Sequence, residues 1–343
     1  MKCDLEILSL DRQQLGDLLK ELGQPSFRAE QVFSWLHNRR SESFDDMTNV
    51  PLELRDKLKQ MCAITSLGTV RKQVSADGTK KYLFSLIDGN NIETVSMRYS
   101  HGVSVCVSTQ VGCAMGCAFC ASAVGGKARD LSAAEILAQV YEVSRDEGAR
   151  VDSVVLMGIG EPLDNFDSVA KFCDIIIDEK GYNLPARAIT LSTCGIVPGI
   201  YELADHKRQL TLSVSLHAAD NDKRSKIMPI NKRYPLGELI AACRYYFEVT
   251  GRRVTFEYAV IAGENDSIAD ADGVAKLLSG MNAHVNLIPV NRARGPEFYA
   301  TRGHAHDFKS KLTDRGINAT VRRTLGSDIN AACGQLRRKE KTF

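Results

Sequence analysis

Three cysteines separated by three and then two residues are the most constraining feature of this sequence. Cys113, Cys117 and Cys120 lie in the run V-G-C-A-M-G-C-A-F-C-A-S, in which Gly112 and Gly116 permit a tight loop that turns the side chains inward. Thiolates favour iron–sulfur clusters, zinc or copper(I). The run has one ligand fewer than the four that a cubane cluster or a structural zinc usually takes. It therefore predicts a 4Fe–4S cluster with one open iron. The alternatives are a zinc ion whose fourth ligand is distant in the sequence, and three buried thiols that bind no metal.

The composition is typical of a globular protein without a membrane segment. The chain has 343 residues, of which 44% are apolar, enough for one large core and a smaller accessory domain. No apolar stretch reaches the length of a membrane helix, and Asp4, Glu6 and Asp11 argue against a signal peptide. Ten cysteines in such a chain favour metal or redox chemistry in a reducing compartment. We therefore expect a cytoplasmic protein that does not bind membranes.

The charge distribution is more informative than the total. The formal net charge of +2 is too small to indicate a nucleic-acid binder. Residues 321–343 nevertheless contain six Lys or Arg against one Asp and one Glu. Such basic clusters can hold RNA phosphates, although a single cluster is more often a solvated surface.

The first hundred residues predict two small units. Apolar residues at helical spacing predict three helices that form a domain over residues 1–65. The first has leucines within residues 15–22, the second has Val32, Phe33 and Leu36, and the third starts at Pro51 and has Leu54, Leu58 and Met61. Alternating residues at 82–87 and 92–97, separated by the turn D-G-N-N, predict a β-hairpin extension over residues 66–100.

Residues 101–343 predict an α/β core. Short β-branched runs alternate with helical patterns, one of which starts at a capping box formed by Ser132 and Glu135. Such βα repeats form a parallel sheet, and six of them predict a partial (β/α)6 barrel. The strands are predicted at residues 103–109, 153–157, 188–193, 210–216, 253–261, 284–290 and 317–322.

Three candidate elements follow the carboxyl ends of these strands. The cysteine run follows the strand at 103–109, G-I-G-E-P (158–162) follows the strand at 153–157, and S-L-H (215–217) closes the strand at 210–216. The carboxyl ends of parallel strands share one rim, so these elements are expected to face each other.

Together the motifs resemble those of one enzyme family. The cysteine run, with Phe119 before its last cysteine, resembles the signature of the radical-SAM superfamily. The remaining motifs resemble the dual-specificity rRNA and tRNA adenine-C2 methyltransferases, and the resemblance covers nearly the whole chain. These motifs are M-G-I-G-E-P-L-D-N (157–165), L-S-T-C-G-I-V-P (191–198), S-L-H (215–217), R-S-K-I-M-P-I-N (224–231) and L-G-S-D-I-N-A-A-C-G-Q-L (325–336).

The resemblance implies two cofactors. The open iron of a 4Fe–4S cluster on Cys113, Cys117 and Cys120 would chelate S-adenosylmethionine (SAM) through its amine and carboxylate, and release a 5′-deoxyadenosyl radical. Glu161 would accept hydrogen bonds from the ammonium group. On the residues alone, G-x-G-E could equally be a turn at the end of a strand. The SAM pocket implied by the resemblance contains Gly160, Glu161, Ser192, Ser215, Leu216, His217 and Asn291.

The resemblance also assigns catalytic residues. C2 of adenine has no lone pair to attack a sulfonium methyl group, so polar methyl transfer is not open to it. Cys333 matches the family cysteine that is methylated and then carries a methylene radical to the base. Cys106 matches the thiol that releases the product and leaves a Cys106–Cys333 disulfide, and Glu93 matches the base that removes the C2 proton. Without the resemblance, Cys106 would be a core residue and Glu93 a solvated carboxylate.

The implied reaction forms 2-methyladenine in 23S rRNA near the peptidyl transferase centre and in tRNA at the adenine 3′ of the anticodon. The implied partners are these RNAs and an electron donor such as flavodoxin or ferredoxin, and a monomer is expected. A C8-methylating antibiotic-resistance enzyme is the nearest alternative, although Pro162 favours the C2 branch. A non-catalytic, metal-stabilised RNA-binding factor is an alternative from another class.

Overall fold

A computed structural model describes residues 5–289, 301–331 and 334–336. Its helices are α1 (Arg12–Glu21), α2 (Phe27–Phe33), α3 (Leu52–Met61), α4 (Ala133–Glu147), α5 (Phe166–Ile177), α6 (Val197–Asp205), α7 (Asn221–Ile227), α8 (Leu236–Thr250), α9 (Ile268–Leu278) and α10 (Arg302–Thr313). Its strands are β1 (Leu5–Glu6), β2 (Cys62–Ala63), β3 (Gly68–Val74), β4 (Lys80–Ser85), β5 (Asn91–Tyr99), β6 (Gly102–Cys106), β7 (Gln110–Gly112), β8 (Lys127–Asp130), β9 (Val151–Leu156), β10 (Ile189–Thr193), β11 (Thr211–Ser215), β12 (Val254–Val260), β13 (Ala283–Pro289) and β14 (Ala319–Val321).

The N-terminal helices form where the leucine spacing predicts them. Helix α1 starts at a capping box in which Asp11 accepts the Gln14 N–H at 2.8 Å, and it buries Leu15 and Leu19. Helix α2 continues as a π-helical turn over Ser34–Asn38. Met61 does not join the buried face of α3; it is 41% exposed because it ends the helix just before β2.

These helices share a core with the α/β region. Phe33 and Leu36 belong to the same buried cluster as residues of α4 and α5. The buried His37 Nδ1 lies 2.8 Å from the Tyr141 hydroxyl of α4. Phe33 also packs so closely on Gly181 that a Cβ there would lie 2.9 Å from its ring. The boundaries of the N-terminal domain and of the hairpin extension remain predictions from the sequence.

The main sheet has ten strands in the order β14-β13-β12-β11-β10-β9-β6-β5-β4-β3. The seven strands predicted for the α/β core are all present, and from β6 through β9 to β14 every neighbouring pair is parallel. Helix α4 crosses from β6 to β9 and starts at the predicted capping box, with the Glu135 N–H bound to Ser132 Oγ at 3.2 Å. The prediction of a partial barrel is therefore confirmed.

Two details differ from the sequence expectation. The β4–β5 hairpin is extended by an antiparallel third strand, β3, whose residues are mostly exposed. In addition, β6 ends at Cys106, and residues 110–112 form β7, which pairs with β8. The cysteine run is therefore the loop of a small β7–β8 hairpin rather than a direct continuation of the predicted strand. No helix in the described part of the chain is long and apolar enough to cross a membrane.

Candidate active site

A cavity of about 210 Å³ lies where the parallel strands end. The cysteine loop and β5 complete its wall. Its lining residues at or just after strand ends are Gly158, Gly160 and Glu161 after β9, Ser192 and Cys194 at the end of β10, Ser215 and His217 at the end of β11, and Pro289 at the end of β13. The expectation that strand ends bring the candidate elements to one rim is thus met for the residues that the structure describes.

The three cysteines of the run all line this cavity. Burial raises the pKa of both Cys113 and Cys117 to about 12, and for Cys117 the neighbouring thiols add to this while Arg224 opposes it. Metals bind the thiolate form of cysteine. In this buried site the thiols therefore ionise readily only when a cation offsets the negative charge of the thiolates. Within the described ranges, no three His, Cys, Asp or Glu side chains group around a single ion. In a cubane each thiolate binds a different iron, so thiols spread around one cavity fit that cofactor.

Backbone geometry fixes the cysteine loop. Gly112 has φ +80°, and a Cβ at this position would lie 1.9 Å from the carbonyl oxygen of Gly126, so only glycine fits. The Ala118 N–H donates to the Ile227 carbonyl at 2.9 Å, which ties the loop to α7. The Ala121 N–H donates to the Gly334 carbonyl at 2.8 Å. The loop is therefore positioned by backbone contacts before any cofactor binds.

Glu161 provides a buried carboxylate in the cavity. One oxygen accepts the Leu163 N–H at 3.1 Å and the other accepts the Cys194 N–H at 2.7 Å. Burial raises the pKa of Glu161, and these backbone hydrogen bonds oppose the shift. The preceding Gly160 has φ +111° and packs on Gln110, where a Cβ would lie 2.7 Å from the Gln110 Cβ. The backbone and the carboxylate together form a place for a cationic group.

His217 is neutral and oriented. Its Nδ1 accepts the Ala259 N–H at 2.9 Å, so the ring proton lies on Nε2. Burial, and then the Arg224 charge, lower the pKa of His217 to about 3. Its ring meets Phe119 of the cysteine loop edge-on, with centroids 4.8 Å apart. A neutral imidazole in a cavity wall can donate a hydrogen bond without bringing a charge.

The other residues of the predicted SAM pocket divide into three groups. Ser192 and Ser215 line the cavity. Leu216 does not: its side chain is fully buried in the core, and its N–H donates to the Glu257 carbonyl at 2.9 Å. Asn291 lies outside the described residues.

Cys106 lines the cavity from β6. It is 6% exposed and packs in a cluster with Val95, Ile159, Ala331 and Leu336. Cys333 lies outside the described residues, so the predicted Cys106–Cys333 pairing is not tested.

Glu93 is on β5 and only 2% exposed, so it is not the solvated carboxylate that the hairpin position alone suggested. Its Oε1 lies 3.6 Å from Nζ of the buried Lys81. Glu93 is not among the lining residues, although Val95 and Met97, which lie on the same face of β5, are.

Sequence reasoning missed two charged residues at this site. Arg224 is fully buried and donates to three backbone carbonyls at the rim. Glu257 lines the cavity and accepts hydrogen bonds from Ser213 Oγ at 2.9 Å and Asn286 Nδ2 at 3.0 Å. Glu257 could have been noticed as a glutamate inside the apolar strand V-T-F-E-Y-A-V. Arg224 is the first residue of the motif R-S-K-I-M-P-I-N, but the motif did not indicate its role.

Comparison with known proteins gives two domain matches. A family described as the ribosomal RNA large subunit methyltransferase N-terminal domain matches residues 5–64. The radical SAM superfamily matches residues 107–272.

Relatives match over the whole length. A probable dual-specificity RNA methyltransferase RlmN of Bacillus mycoides (strain KBAB4) is 51% identical over 98% of this chain and 94% of its own length. That of Bacillus cytotoxicus is 50% identical with the same coverage. The crystal structure of a radical SAM methyltransferase from Sphaerobacter thermophilus superposes with a TM-score of 0.92 at 45% identity, covering 97% of this chain and 99% of that one.

Proposed function

The chain belongs to the RlmN family of radical-SAM, dual-specificity RNA methyltransferases, and we propose that it methylates C2 of adenine in 23S rRNA and in tRNA. It is a SAM-dependent enzyme of a superfamily that uses a 4Fe–4S cluster. The observation that carries the proposal is that three thiols, Glu161 and Cys106 line one cavity at the strand ends.

Cys113, Cys117 and Cys120 are the proposed cluster ligands. When bound, the cluster and SAM supply the methyl group and the one-electron chemistry that an electron-poor aromatic carbon requires. Glu161 holds the ammonium group of SAM, because backbone N–H groups already orient both of its oxygens. Gly160 lets the backbone approach the ligand. The remaining proposed SAM contacts are Ser192, Ser215, His217 and, outside the described residues, Asn291.

The proposed transfer uses two thiols and a carboxylate. Cys333 accepts the methyl group and carries it to the base as a thioether. The Cys106 thiolate then attacks the Cys333 sulfur and forms a disulfide. The electron pair of the broken sulfur–carbon bond stays on the product carbon, which takes up a proton to complete the methyl group, and an external reductant reopens the disulfide. Ala331 and Leu336, on either side of Cys333 in the sequence, pack in the same cluster as Cys106, which supports this pairing. Glu93 accepts the C2 proton.

RNA binding is proposed to involve both ends of the chain. An adenine in folded RNA must leave its stack to enter a cavity of this kind. Arg322 and Arg323 of the basic C-terminal region line the cavity and can bind phosphates at its mouth. The helical domain at residues 1–65 is the second proposed contact, supported by its match to an rRNA methyltransferase N-terminal domain. An electron donor such as flavodoxin or ferredoxin and a monomeric state complete the proposal.

Methylation of RNA by anaerobically reconstituted protein tests the function. We expect 2-methyladenine in 23S rRNA and tRNA fragments, identified by mass spectrometry after chromatography against synthetic 2- and 8-methyladenosine. A product that co-elutes with the 8-methyl standard would assign the enzyme to the C8 branch. No product, with SAM left intact by the reduced protein, would favour a non-catalytic RNA-binding factor.

Cys333→Ala tests the proposed thiol chemistry. We expect the variant to lose RNA methylation completely, because no thioether can form. It should keep its iron content and its ability to cleave SAM, which separates this loss from loss of the cluster. Cys173→Ala, which removes a buried thiol from α5, is the matched control and should retain methylation. Normal methylation by Cys333→Ala would end the two-thiol mechanism.

A further inference from the structure

Arg224 lies on α7 with its guanidinium buried beneath the cavity rim. It is fully buried, and its four hydrogen bonds all go to neutral oxygens. The acceptors are the carbonyls of Cys194 at 2.7 Å, Ser215 at 2.9 Å and Leu216 at 3.1 Å, and Asn231 Oδ1 at 2.9 Å. The guanidinium therefore fixes the chain where β10 and β11 end.

Among the residues that the structure describes, no carboxylate neutralises this cation. None of its hydrogen bonds within those residues goes to Asp or Glu. Burial lowers the pKa of Arg224 to about 10, while the thiols of Cys194, Cys117 and Cys243 oppose this, so the side chain remains charged at neutral pH. A buried charge normally requires an opposite charge nearby. The described residues that hydrogen-bond to the guanidinium are all neutral, so an anion bound in the cavity would supply the missing negative charge.

The cysteine loop is the neighbouring element that can supply this negative charge. Ile227, three residues after Arg224 on the same helix, accepts the Ala118 N–H of the loop at 2.9 Å. Ile227 also packs in one cluster with Cys117, Phe119 and Cys194. Gly195 has φ +112°, and a Cβ there would lie 3.2 Å from Arg224 Nη2, so glycine makes room for the guanidinium. Sequence and packing thus bring a buried cation next to the proposed cluster ligands.

We propose that Arg224 is a positioning and electrostatic residue that stabilises the reduced cluster and so raises its reduction potential. Three thiolates make a cubane cluster anionic, and reduction adds a further negative charge. Net charge and solvent exposure are among the factors that set such potentials. A fixed positive charge in a low-dielectric site favours the more negative state. This inference rests on the assignment of Cys113, Cys117 and Cys120 as the cluster ligands.

Redox titration of the reconstituted protein without SAM, followed by electron paramagnetic resonance, tests the inference. We compare the parent protein with Arg224→Gln and Arg224→Met, which remove the charge, and with Arg224→Lys, which keeps the charge but loses the forked hydrogen bonds. At a fixed potential, the charge-free variants should show a ratio of reduced to oxidised cluster about tenfold lower, equivalent to about 59 mV for a one-electron couple. Arg224→Lys should remain close to the parent.

Arg150→Gln is the matched control. Arg150 also donates to backbone carbonyls, those of Tyr182 and Asn183, but it precedes β9 and so lies at the opposite edge of the sheet. Its loss should leave the potential unchanged. Equal shifts in the Gln and Lys variants, or no shift in either charge-free variant, would reduce Arg224 to a structural role. Absence of iron from the parent protein would instead overturn the ligand assignment.

Discussion

Glu161 is arranged to receive a cation before any ligand binds. Backbone N–H groups hold both oxygens, and the residue is only 3% exposed. Burial raises its pKa, which means that the charged carboxylate is short of compensating charge. An ammonium group that reaches this carboxylate therefore gains a strong, charge-assisted hydrogen bond. The carboxylate should accordingly contribute to SAM affinity rather than to cluster assembly.

Glu161→Gln keeps the size of the side chain and removes its charge. A hydrogen bond to a charged group contributes about 1.5–3 kcal/mol, so we expect SAM affinity to fall roughly 10- to 150-fold. Equilibrium dialysis under anaerobic conditions measures the affinity, and iron content should not change. Glu238→Gln, at an exposed position on α8, is the control. Equal affinity in the parent and in Glu161→Gln would show that the carboxylate does not contact the ligand.

The lining residues at the strand ends could be predicted because their positions depend only on sequence order and strand direction. Parallel strands place their carboxyl ends at one edge, and so Glu161, Ser192, Ser215 and His217 line the same cavity. Arg224 could not be predicted in this way, because a charged helical residue usually faces solvent. Only its packing under the rim reveals its role. Leu216 shows the converse: membership of a motif does not decide where a side chain points.

The turn between β3 and β4, together with Lys81 of β4, holds the segment that leads to Cys333. This contact depends on residues more than 240 positions apart in the sequence, so no local pattern could indicate it. Four hydrogen bonds form it: Ser75 Oγ and Ala76 N donate to the Asp328 carboxylate at 2.6 and 3.2 Å, Gly326 N donates to Asp77 at 2.9 Å, and Lys81 Nζ donates to the Asn330 carbonyl at 3.0 Å. The hairpin extension therefore positions the C-terminal segment as well as carrying Glu93.

Asp328→Ala tests this positioning. The substitution removes two of the four hydrogen bonds, so the segment should open more often and present Cys333 less often in its working position. We expect RNA methylation to fall about tenfold, in line with the loss of roughly 1.4 kcal/mol, while SAM cleavage persists. Hydrogen exchange over residues 322–331 should become faster in the variant.

Asp314→Ala, at the exposed end of α10, is the control for this effect. It should change neither methylation nor exchange over residues 322–331. Parallel loss of SAM cleavage and methylation in Asp328→Ala would indicate a general disturbance of the cavity instead.

Strand β3 was not predicted because its sequence lacks the usual signal. G-T-V-R-K-Q-V is almost entirely exposed, so it has no buried face to produce an apolar alternation. The strand conformation of these residues is instead stabilised by pairing with β4. Basic side chains on such an edge strand also discourage pairing with another chain.

The N-terminal helices and the α/β core are built around common buried residues, which a sequence pattern cannot show. Phe33 and Leu36 have the spacing of a helix face, and this predicts that they are buried without saying against what. In the structure they pack in the cluster that contains α4 and α5, with His37 against Tyr141. The two parts should therefore unfold together, and a group buried between them should affect the stability of the entire chain.

His37 is such a group, and its burial predicts that the free energy of unfolding falls in acid. Burial lowers the pKa of His37 to about 3, and its Nε2 has no hydrogen-bond partner within the part of the chain that the structure describes. Because the folded pKa lies below the unfolded value of 6.5, the unfolded chain binds a proton that the folded chain does not. His37 therefore lowers the unfolding free energy as the pH falls from about 6.5 towards 3, by about 1.4 kcal/mol per pH unit.

Urea unfolding between pH 7 and pH 5 measures this slope. His217, whose pKa burial also lowers to about 3, contributes a second slope of the same sign. His37→Asn should therefore reduce the slope of the unfolding free energy against pH by roughly 1.4 kcal/mol per pH unit, the contribution of one proton. The contribution of His217 should remain. His306→Asn, at an exposed position on α10, should leave the slope unchanged. An identical slope in His37→Asn and the parent would mean that His37 is already protonated in the folded chain, and that the contact between the helices and the core is looser than the structure shows.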